Sequence, residues 1–244
     1  MTTRQPIVAI DGPAGSGKST VAQCVARRAG LQFISSGVLY RATALRALRG
    51  GVPAADRARL IELAATLNAR FSMDAGGNMR IALDGEDVTD ALRQPGVDQV
   101  ASAIAVIPEL RAHIVAKLQA YGREGGIVME GRDIQTVVFP DAEIKIFLTA
   151  SPEERARRRW KELTEQGESV QYSEVLADVR ARDRRDEERE ASPLRAASDA
   201  VRVDTDTMTI DQVVDCILRM VDAWRNDPSL RGQALANAAG CGEG

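Results

Sequence analysis

The sequence predicts an α/β fold in which a five-stranded parallel sheet is covered by helices on both faces. Short apolar runs of strand length alternate with longer amphipathic stretches along the 244 residues, and this alternation is typical of parallel strands joined by crossover helices. The hydrophobic fraction of 44% beside a charged fraction of 27% indicates a chain that can bury a sizeable core.

Five short apolar runs have the composition of buried strands. They are Ile7–Asp11, Leu31–Ser35, Ile127–Met129, Ile144–Leu148 and Val201–Asp204. Apolar residues at helical spacing predict helices between and after them. These helices are expected over Val21–Ala29, Leu39–Leu48, Leu60–Leu67, Val97–Ala105, Pro108–Leu118, Ser151–Gln166, Ser173–Arg189 and Thr209–Trp224. Two helix starts carry capping signals, a Ser-Pro-Glu-Glu box at Ser151 and the pair Thr209 and Gln212.

The alternation of strands and helices is interrupted in the middle of the chain. Arg70–Met73, Met79–Leu83 and the stretch around Val88 look like short strands, separated by the turn signals Asp74-Ala-Gly-Gly-Asn78 and Asp84-Gly85. We therefore expect one domain over residues 1–226 with a small antiparallel insert at about 69–90. Beyond it, small residues and glycine predict a disordered tail over 227–244.

Composition excludes several classes of function. A formal charge of −3, a pI of about 5.4 and only 4% aromatic residues argue against a nucleic-acid binder. One histidine, His113, and three widely spaced cysteines lack the paired ligand spacing of a Cys/His zinc site. The odd cysteine count favours a reducing compartment, with Cys24 and Cys216 in the core. Because the sequence shows neither a membrane-length apolar run nor a signal-peptide pattern, we expect a cytosolic protein.

A phosphate-binding loop follows the first predicted strand. Its spacing is G-x-x-x-x-G-K-[ST], with a buried strand before it and an amphipathic helix after it. The residues of the loop are Gly12, Pro13, Ala14, Gly15, Ser16, Gly17, Lys18, Ser19 and Thr20. Its backbone N–H groups and the positive end of the following helix suit a β-phosphate. Lys18 is expected to bridge the β- and γ-phosphates of a nucleoside triphosphate, and the Ser19 hydroxyl to ligate Mg²⁺.

The loop alone leaves two classes of function open, a phosphotransferase and a GTPase-like switch. A switch needs an N-K-x-D sequence to bind guanine, and no asparagine of this chain is followed by lysine. Its D-x-x-G sequence occurs at Asp74–Gly77, inside a predicted turn. The sequence therefore favours a transferase.

Arginines at the ends of predicted elements are candidates for binding an anionic acceptor. Lysines are few, and genome composition is one explanation for the arginine excess, while the paired grip of a guanidinium on phosphate oxygens is the other. Arg41 lies one turn into a helix, and Arg132 follows a strand at the sheet edge where α/β folds place their ligands. Two helical groups, 155–159 and 180–189, are read either as binding groups or as solvated faces paired with neighbouring glutamates.

Several of these segments together resemble the bacterial cytidylate kinase family of P-loop kinases. The segments, in family order, are Gly12–Thr20, Ser35–Arg41, Glu130–Ile134, Val137–Pro140, Lys145–Leu148 and Arg182–Asp186. The resemblance covers residues 5–225. It implies a P-loop three-layer sandwich with an insert in the monophosphate-binding region and a short helical lid at about 152–168. It also implies ATP as donor, Mg²⁺ as cofactor, CMP and dCMP as acceptors, no nucleic-acid or membrane partner, and a monomer.

The resemblance also implies roles for single residues. The cytosine edge would be bound by Ser102, Arg111 and Asp133, and the sugar by Ser36, Arg182 and Asp186. The acceptor phosphate would be held by Arg41, Arg132 and Arg189, with Tyr40 also in the substrate site. The lid would contribute Arg155, Arg158 and Arg159. Catalytic charge stabilisation would come from Lys18, Arg132, Arg159 and Arg189.

Two positions depart from the family pattern. Glu130 stands where aspartate is common and is a weak candidate for orienting Mg²⁺ through water. Gln135 stands where glycine is usual, and we expect its side chain to crowd the loop beside the acceptor. Asp11, at the end of the first strand, is expected to anchor a loop.

Two alternatives to a cytidylate kinase stay open at this point. One is a kinase for another small acceptor, either a different nucleotide or a shikimate-like acid. The other is a nucleotide-dependent binding module whose ATP turnover no acceptor changes.

Overall fold

The structure, a computed structural model, describes residues 4–74, 76, 79–94 and 96–241. Its strands are β1 (Ile7–Asp11), β2 (Gln32–Ser35), β3 (Ala69–Met73), β4 (Met79–Leu83), β5 (Glu86–Asp87), β6 (Ile127–Gly131), β7 (Ile144–Thr149) and β8 (Val201–Asp204). Its α-helices are α1 (Lys18–Ala29), α2 (Gly37–Arg49), α3 (Arg57–Ala65), α4 (Val97–Ile104), α5 (Pro108–Tyr121), α6 (Pro152–Glu165), α7 (Tyr172–Glu188), α8 (Ile210–Asn226) and α9 (Gly232–Ala238).

The predicted parallel sheet is confirmed. Its strand order is β2-β6-β1-β7-β8, and β1 pairs in parallel with both β6 and β7. Every residue of β1 is buried, as expected for a central strand covered on both faces. Asp11 at the end of β1 is in register with Gly131 of β6 and Phe147 of β7. The loops that follow these three strands therefore leave the sheet at one edge, where α/β folds bind ligands.

The described residues divide into two compact units, one within 4–33 and 124–241 and the other within 34–123. The sequence predicted one domain with a small insert at about 69–90. The second unit is larger than that insert because α2 packs against α3 and α4, and α3 against α5. These helices and β3–β5 belong to the same compact unit.

The antiparallel insert forms as a three-stranded sheet in the order β3-β4-β5. Ala69 pairs with Leu83, and Leu83 with Glu86 across the Asp84-Gly85 turn. The third strand ends just before Val88, whose N–H still donates to Ile81 O at 3.0 Å. Of the other predicted turn, Ala75, Gly77 and Asn78 lie outside the described residues.

The helix starts are capped as the sequence predicts. Ser151 Oγ accepts a hydrogen bond from Glu154 N at 3.2 Å, which caps α6. Thr209 and Gln212 exchange side-chain and backbone hydrogen bonds at the start of α8. His113 is exposed on α5, Cys216 is buried and Cys24 is half-buried.

The C-terminal segment differs from the predicted disordered tail, because residues 232–238 form α9. Leu235 and Ala236 are buried, and α9 packs against α8 and β8. Arg219 of α8 donates from Nε to Ala239 O at 2.9 Å. A few small apolar residues therefore suffice to order this segment, which composition alone did not indicate.

No single helix among the described residues is long and apolar enough to cross a membrane, and α4 and α5 reach the required length and hydropathy only as a pair bent by 104°.

Candidate active site

The phosphate-binding loop connects β1 to α1, as the sequence predicts. Gly12 has a φ of 153°, and a Cβ on it would lie 2.1 Å from the backbone oxygen of Leu148. Gly17 has a left-handed conformation directly before Lys18, the first residue of α1. The loop therefore needs glycine both for the close approach to β7 and for the turn into the helix.

Lys18 is buried, and its ammonium is held by the loop itself. Nζ donates to Pro13 O at 2.6 Å and to Ser16 Oγ at 3.4 Å. Burial lowers the pKa of Lys18 well below its usual value, and the positive charge of Arg132 lowers that pKa further. An anion bound beside Lys18 would favour its ammonium form. Ser19 and Thr20 are exposed in the first turn of α1.

The Arg132 guanidinium and the Asp186 carboxylate lie together, although 54 residues separate them in sequence. Nε of Arg132 donates to Asp186 Oδ2 at 2.9 Å, and Nη1 donates to Gly131 O at 3.2 Å. Both side chains are about four-fifths buried. Arg182 is half-buried on α7, and Arg189 follows that helix with Nε donating to Ser192 O at 2.6 Å. The structure thus joins one predicted phosphate ligand to one predicted sugar ligand.

Asp11 anchors the turn after β6, which confirms its predicted role. Its carboxylate accepts hydrogen bonds from Ile134 N at 3.0 Å and from Gln135 N at 2.9 Å. Burial raises the pKa of Asp11 to about 7 despite these two hydrogen bonds, and the charge of Asp133 adds to the rise. Asp133 itself is buried directly before this turn.

Gln135 does not crowd the loop as expected. Its side chain is buried, with Nε2 donating to Ile146 O at 3.3 Å and Oε1 accepting from Ala197 N at 2.9 Å. The amide therefore points away from the turn and connects it to β7 and to the segment before β8. A long polar side chain fits here because each end of its amide has a backbone partner. Glu130 is buried on β6.

The three arginines predicted for a lid lie on α6 in three different environments. Arg155 is buried, with Nη1 and Nη2 donating to both oxygens of Asp183 at 2.8 and 2.7 Å and Nη1 also donating to Ala14 O of the phosphate loop at 3.2 Å. Arg158 donates to Glu154 and to both oxygens of Thr205. Arg159 is exposed and pairs with Glu162. The solvated-face interpretation therefore fits Arg159 and is wrong for Arg155.

The remaining candidates lie in the second unit. Ser36 is buried directly before α2, and Arg41 of α2 donates to Asp98 of α4 at 2.6 Å. Arg111 of α5 is buried, and its guanidinium carbon lies 5.5 Å from the centre of the Tyr40 ring. Nη1 of Arg111 donates to Ala105 O at 2.9 Å. Ser102 is half-buried on α4.

Sequence reasoning missed the carboxylates and the hydroxyl that hold these arginines. Asp98 holds Arg41, Asp183 holds Arg155 and Thr205 holds Arg158. Asp183 lies between two arginines in the Arg182–Asp186 segment, and this position could have indicated a carboxylate that pairs with an arginine. The partners of Arg41 and Arg158 are 57 and 47 residues away in sequence, and no local pattern indicates them.

The match to a protein family extends over most of the chain. Residues 8–223 match the model of the family described as cytidylate kinase. The chain belongs to the cytidylate kinase family. A protein of Pelotomaculum thermopropionicum named cytidylate kinase is 49% identical over 222 residues, covering 91% of this chain and 98% of the relative. One of Aeromonas salmonicida with the same name is 42% identical, covering 94% of this chain and 99% of the relative.

A solved shikimate kinase of Acinetobacter baumannii is 15% identical, with a TM-score of 0.43 and coverage of 91% of this chain and 95% of that one. The family resemblance expected from the six sequence segments is confirmed by the family match. In the part of the chain that the structure describes, no group of three or more His, Cys, Asp or Glu side chains is arranged to hold a metal ion.

Proposed function

We propose that the protein transfers the γ-phosphate of ATP to CMP and dCMP, giving ADP and CDP or dCDP. The observation that carries this proposal is the phosphate-binding loop between β1 and α1, in a chain whose residues 8–223 match the cytidylate kinase family. The loop supports the donor, and the family supports the acceptor.

The donor side rests on the loop and on Lys18. The loop N–H groups and the N-terminus of α1 would bind the donor phosphates, and Lys18 would stabilise the charge that develops on the γ-phosphoryl group. Mg²⁺ fits the site because the Ser19 hydroxyl is exposed in the first turn of α1, and this ion takes one or two protein oxygens beside phosphates and water. When bound, it would neutralise charge on the donor phosphates.

The acceptor side rests on the polar side chains described above. Arg41, Arg132 and Arg189 would hold the acceptor phosphate, whose oxygen attacks the γ-phosphorus in line. Because that oxygen is already anionic, no protein side chain has to act as a covalent nucleophile. Ser36, Tyr40, Arg182 and Asp186 would contact the sugar region. Ser102, Arg111 and Asp133 would bind the cytosine edge.

The lid side rests on α6. Arg155 and Arg158 are already oriented by carboxylates and carbonyls, so they lose little side-chain freedom when ATP binds. Arg159 would exchange its exposed partner Glu162 for the donor phosphates as the lid closes. Closure would exclude water and so favour transfer over hydrolysis.

Replacing Asp133 tests the acceptor assignment. With Asp133→Ala we expect kcat/KM for CMP to fall by about 100-fold or more, because a polar base edge loses its partner. The dissociation constant of ATP should stay near the wild-type value. A matched control is Asp141→Ala, an exposed aspartate in the same connection between β6 and β7. Full activity of Asp133→Ala with CMP would contradict the assignment.

The monomeric state and the cytosolic location stay predictions. Light scattering coupled to size-exclusion chromatography measures the mass in solution, and one chain corresponds to 26.3 kDa. Detection of the protein in a membrane or secreted fraction of its source cells would contradict the location.

A further inference from the structure

Asp11 holds two adjacent backbone N–H groups of the turn after β6. The last residue of β1, it is fully buried, and its two oxygens accept one hydrogen bond each from Ile134 N and Gln135 N. A carboxylate that binds two successive peptide groups fixes the orientation of both peptide planes. The start of this turn is therefore set by a side chain 123 residues earlier in sequence.

The turn begins directly after the proposed acceptor ligands. Ile134 is bonded covalently to Asp133, and Arg132 precedes it. The Asp133 carbonyl closes the turn by accepting from Val137 N at 2.9 Å and Val138 N at 3.2 Å. The Asp133 carbonyl is thus part of the turn, and the two residues after Asp133 are held by Asp11, so a shift of the turn would displace the Asp133 side chain and that of Arg132.

Asp11 is not placed to touch a substrate. It has no exposed surface, and each of its oxygens already accepts a backbone hydrogen bond. Lys18 donates instead to Pro13 O and Ser16 Oγ. The Asp11 carboxylate can therefore act on the substrates only through other groups, by holding the turn and by its charge near Lys18.

We propose that Asp11 is a positioning residue that keeps Arg132 and Asp133 in the orientation needed for the acceptor. This inference rests on the proposed acceptor roles of these two residues. It assigns Asp11 to the acceptor side of the reaction, although Asp11 immediately precedes Gly12, the first residue of the donor loop.

Asp11→Asn tests the proposal, because the amide has the same shape but turns one acceptor oxygen into an NH₂ group. One backbone N–H of the turn then faces a donor. We expect kcat/KM for CMP to fall by about 10- to 100-fold, the effect of one buried group left without its partner. We expect the dissociation constant of ATP, measured by calorimetry without acceptor, to change by less than about threefold.

The control is Asp227→Asn. Asp227 also accepts a backbone N–H, that of Ser229 at 3.0 Å, but it is exposed after α8 and far along the chain from every proposed ligand. The Asp227→Asn variant should keep the wild-type kcat/KM for CMP and the wild-type dissociation constant of ATP. Wild-type activity with CMP is measured first, since its absence would contradict the proposed function and not the role of Asp11.

Four results would overturn the role of Asp11. One is a variant with unchanged kcat/KM for CMP. Another is a weakening of ATP binding as large as the loss with CMP, which would assign Asp11 to the donor loop. The third is a fall in kcat no larger than the loss of folded protein seen by circular dichroism, because a smaller folded fraction would then explain it. Asp11→Ser, a smaller side chain for the same space, gives the same comparison if the Asn variant does not fold, and failure of both to fold would make Asp11 a folding residue only.

Discussion

Gly12 and Lys18 show at the residue scale how the loop depends on its exact side chains. The missing Cβ of Gly12 lets the loop approach the Leu148 carbonyl, while the long side chain of Lys18 bends back to the loop carbonyl of Pro13. A glycine next to a backbone atom cannot be replaced without moving that backbone. The consequence is measurable as a loss of stability.

We expect Gly12→Ala to destabilise the protein by more than Gly30→Ala. Both glycines have positive φ, but a Cβ at Gly12 meets the Leu148 oxygen at 2.1 Å, whereas a Cβ at Gly30 has nothing within 4 Å. The free energy of unfolding of the Gly30 variant should fall only by the cost of a left-handed backbone at alanine, about 1–2 kcal/mol. Urea unfolding of both variants measures the difference. Equal losses would show that the contact with Leu148 does not constrain the loop.

Asp11 should make stability depend on pH. Its pKa rises from 3.8 to about 7 on folding, mainly through burial. Between these values the unfolded chain binds fewer protons than the folded one at this group, so its contribution to the free energy of unfolding falls as pH rises. The neighbouring Asp133 and Lys18 act on this carboxyl in opposite directions.

The comparison of wild type with Asp11→Asn isolates this contribution. We expect the unfolding free energy of the wild type, relative to that of the variant, to fall between about pH 4 and pH 7. Urea unfolding at several pH values measures it. A difference that is flat or rises with pH would contradict a raised pKa for Asp11.

At the scale of elements, α6 and α7 are joined by a buried ion pair and a small apolar cluster. Arg155 and Asp183 make the ion pair, in which the two terminal guanidinium nitrogens each donate to one carboxylate oxygen. The buried residues Ala156, Val175 and Val179 form the centre of the cluster. The ion pair also reaches the phosphate loop through Ala14 O. Helix α6 is therefore tied to both α7 and the phosphate loop.

Asp183→Ala should be strongly destabilising. It leaves the Arg155 guanidinium buried without its carboxylate, which costs about 3–5 kcal/mol. Glu162→Ala removes the partner of Arg159 in an exposed pair on the same helix and should cost less than about 1 kcal/mol. Thermal unfolding of both variants measures the contrast. Similar losses would show that burial does not distinguish the two pairs.

The elements of the sheet could be predicted because their signals are local. An apolar strand, a glycine-rich loop and a capped helix each occupy a few consecutive residues, and β1 and α1 follow that order. α9 could not be predicted, since Leu235 and Ala236 are ordered by packing against α8 and β8. Local sequence pattern likewise could not predict the partners of Arg41 and Arg158 that lie far along the chain, Asp98 and Thr205. Gln135 makes the same point, because only the fold brings Ile146 and Ala197 to its amide.

At the scale of the whole molecule, each compact unit contains some of the proposed nucleotide ligands. The phosphate loop, Arg132, Asp133 and the α6 and α7 arginines belong to the first unit, and Ser36, Arg41 and Arg111 to the second. The arginine excess therefore includes buried arginines held by carboxylates, such as Arg155, and arginines in exposed ion pairs, such as Arg159. The resemblance to a family indicated these residues, where the residue pattern alone left open a kinase for another small acceptor and a nucleotide-dependent binding module.

The rate of ADP release with a panel of acceptors tests the central claim most directly. The panel contains CMP, dCMP, UMP, AMP and shikimate, each with ATP and Mg²⁺, and a run without acceptor. We predict the highest kcat/KM with CMP and dCMP, and at least about tenfold lower values with the others. Little activity with CMP beside strong activity with another acceptor would contradict the claim, as would ATP turnover that no acceptor changes.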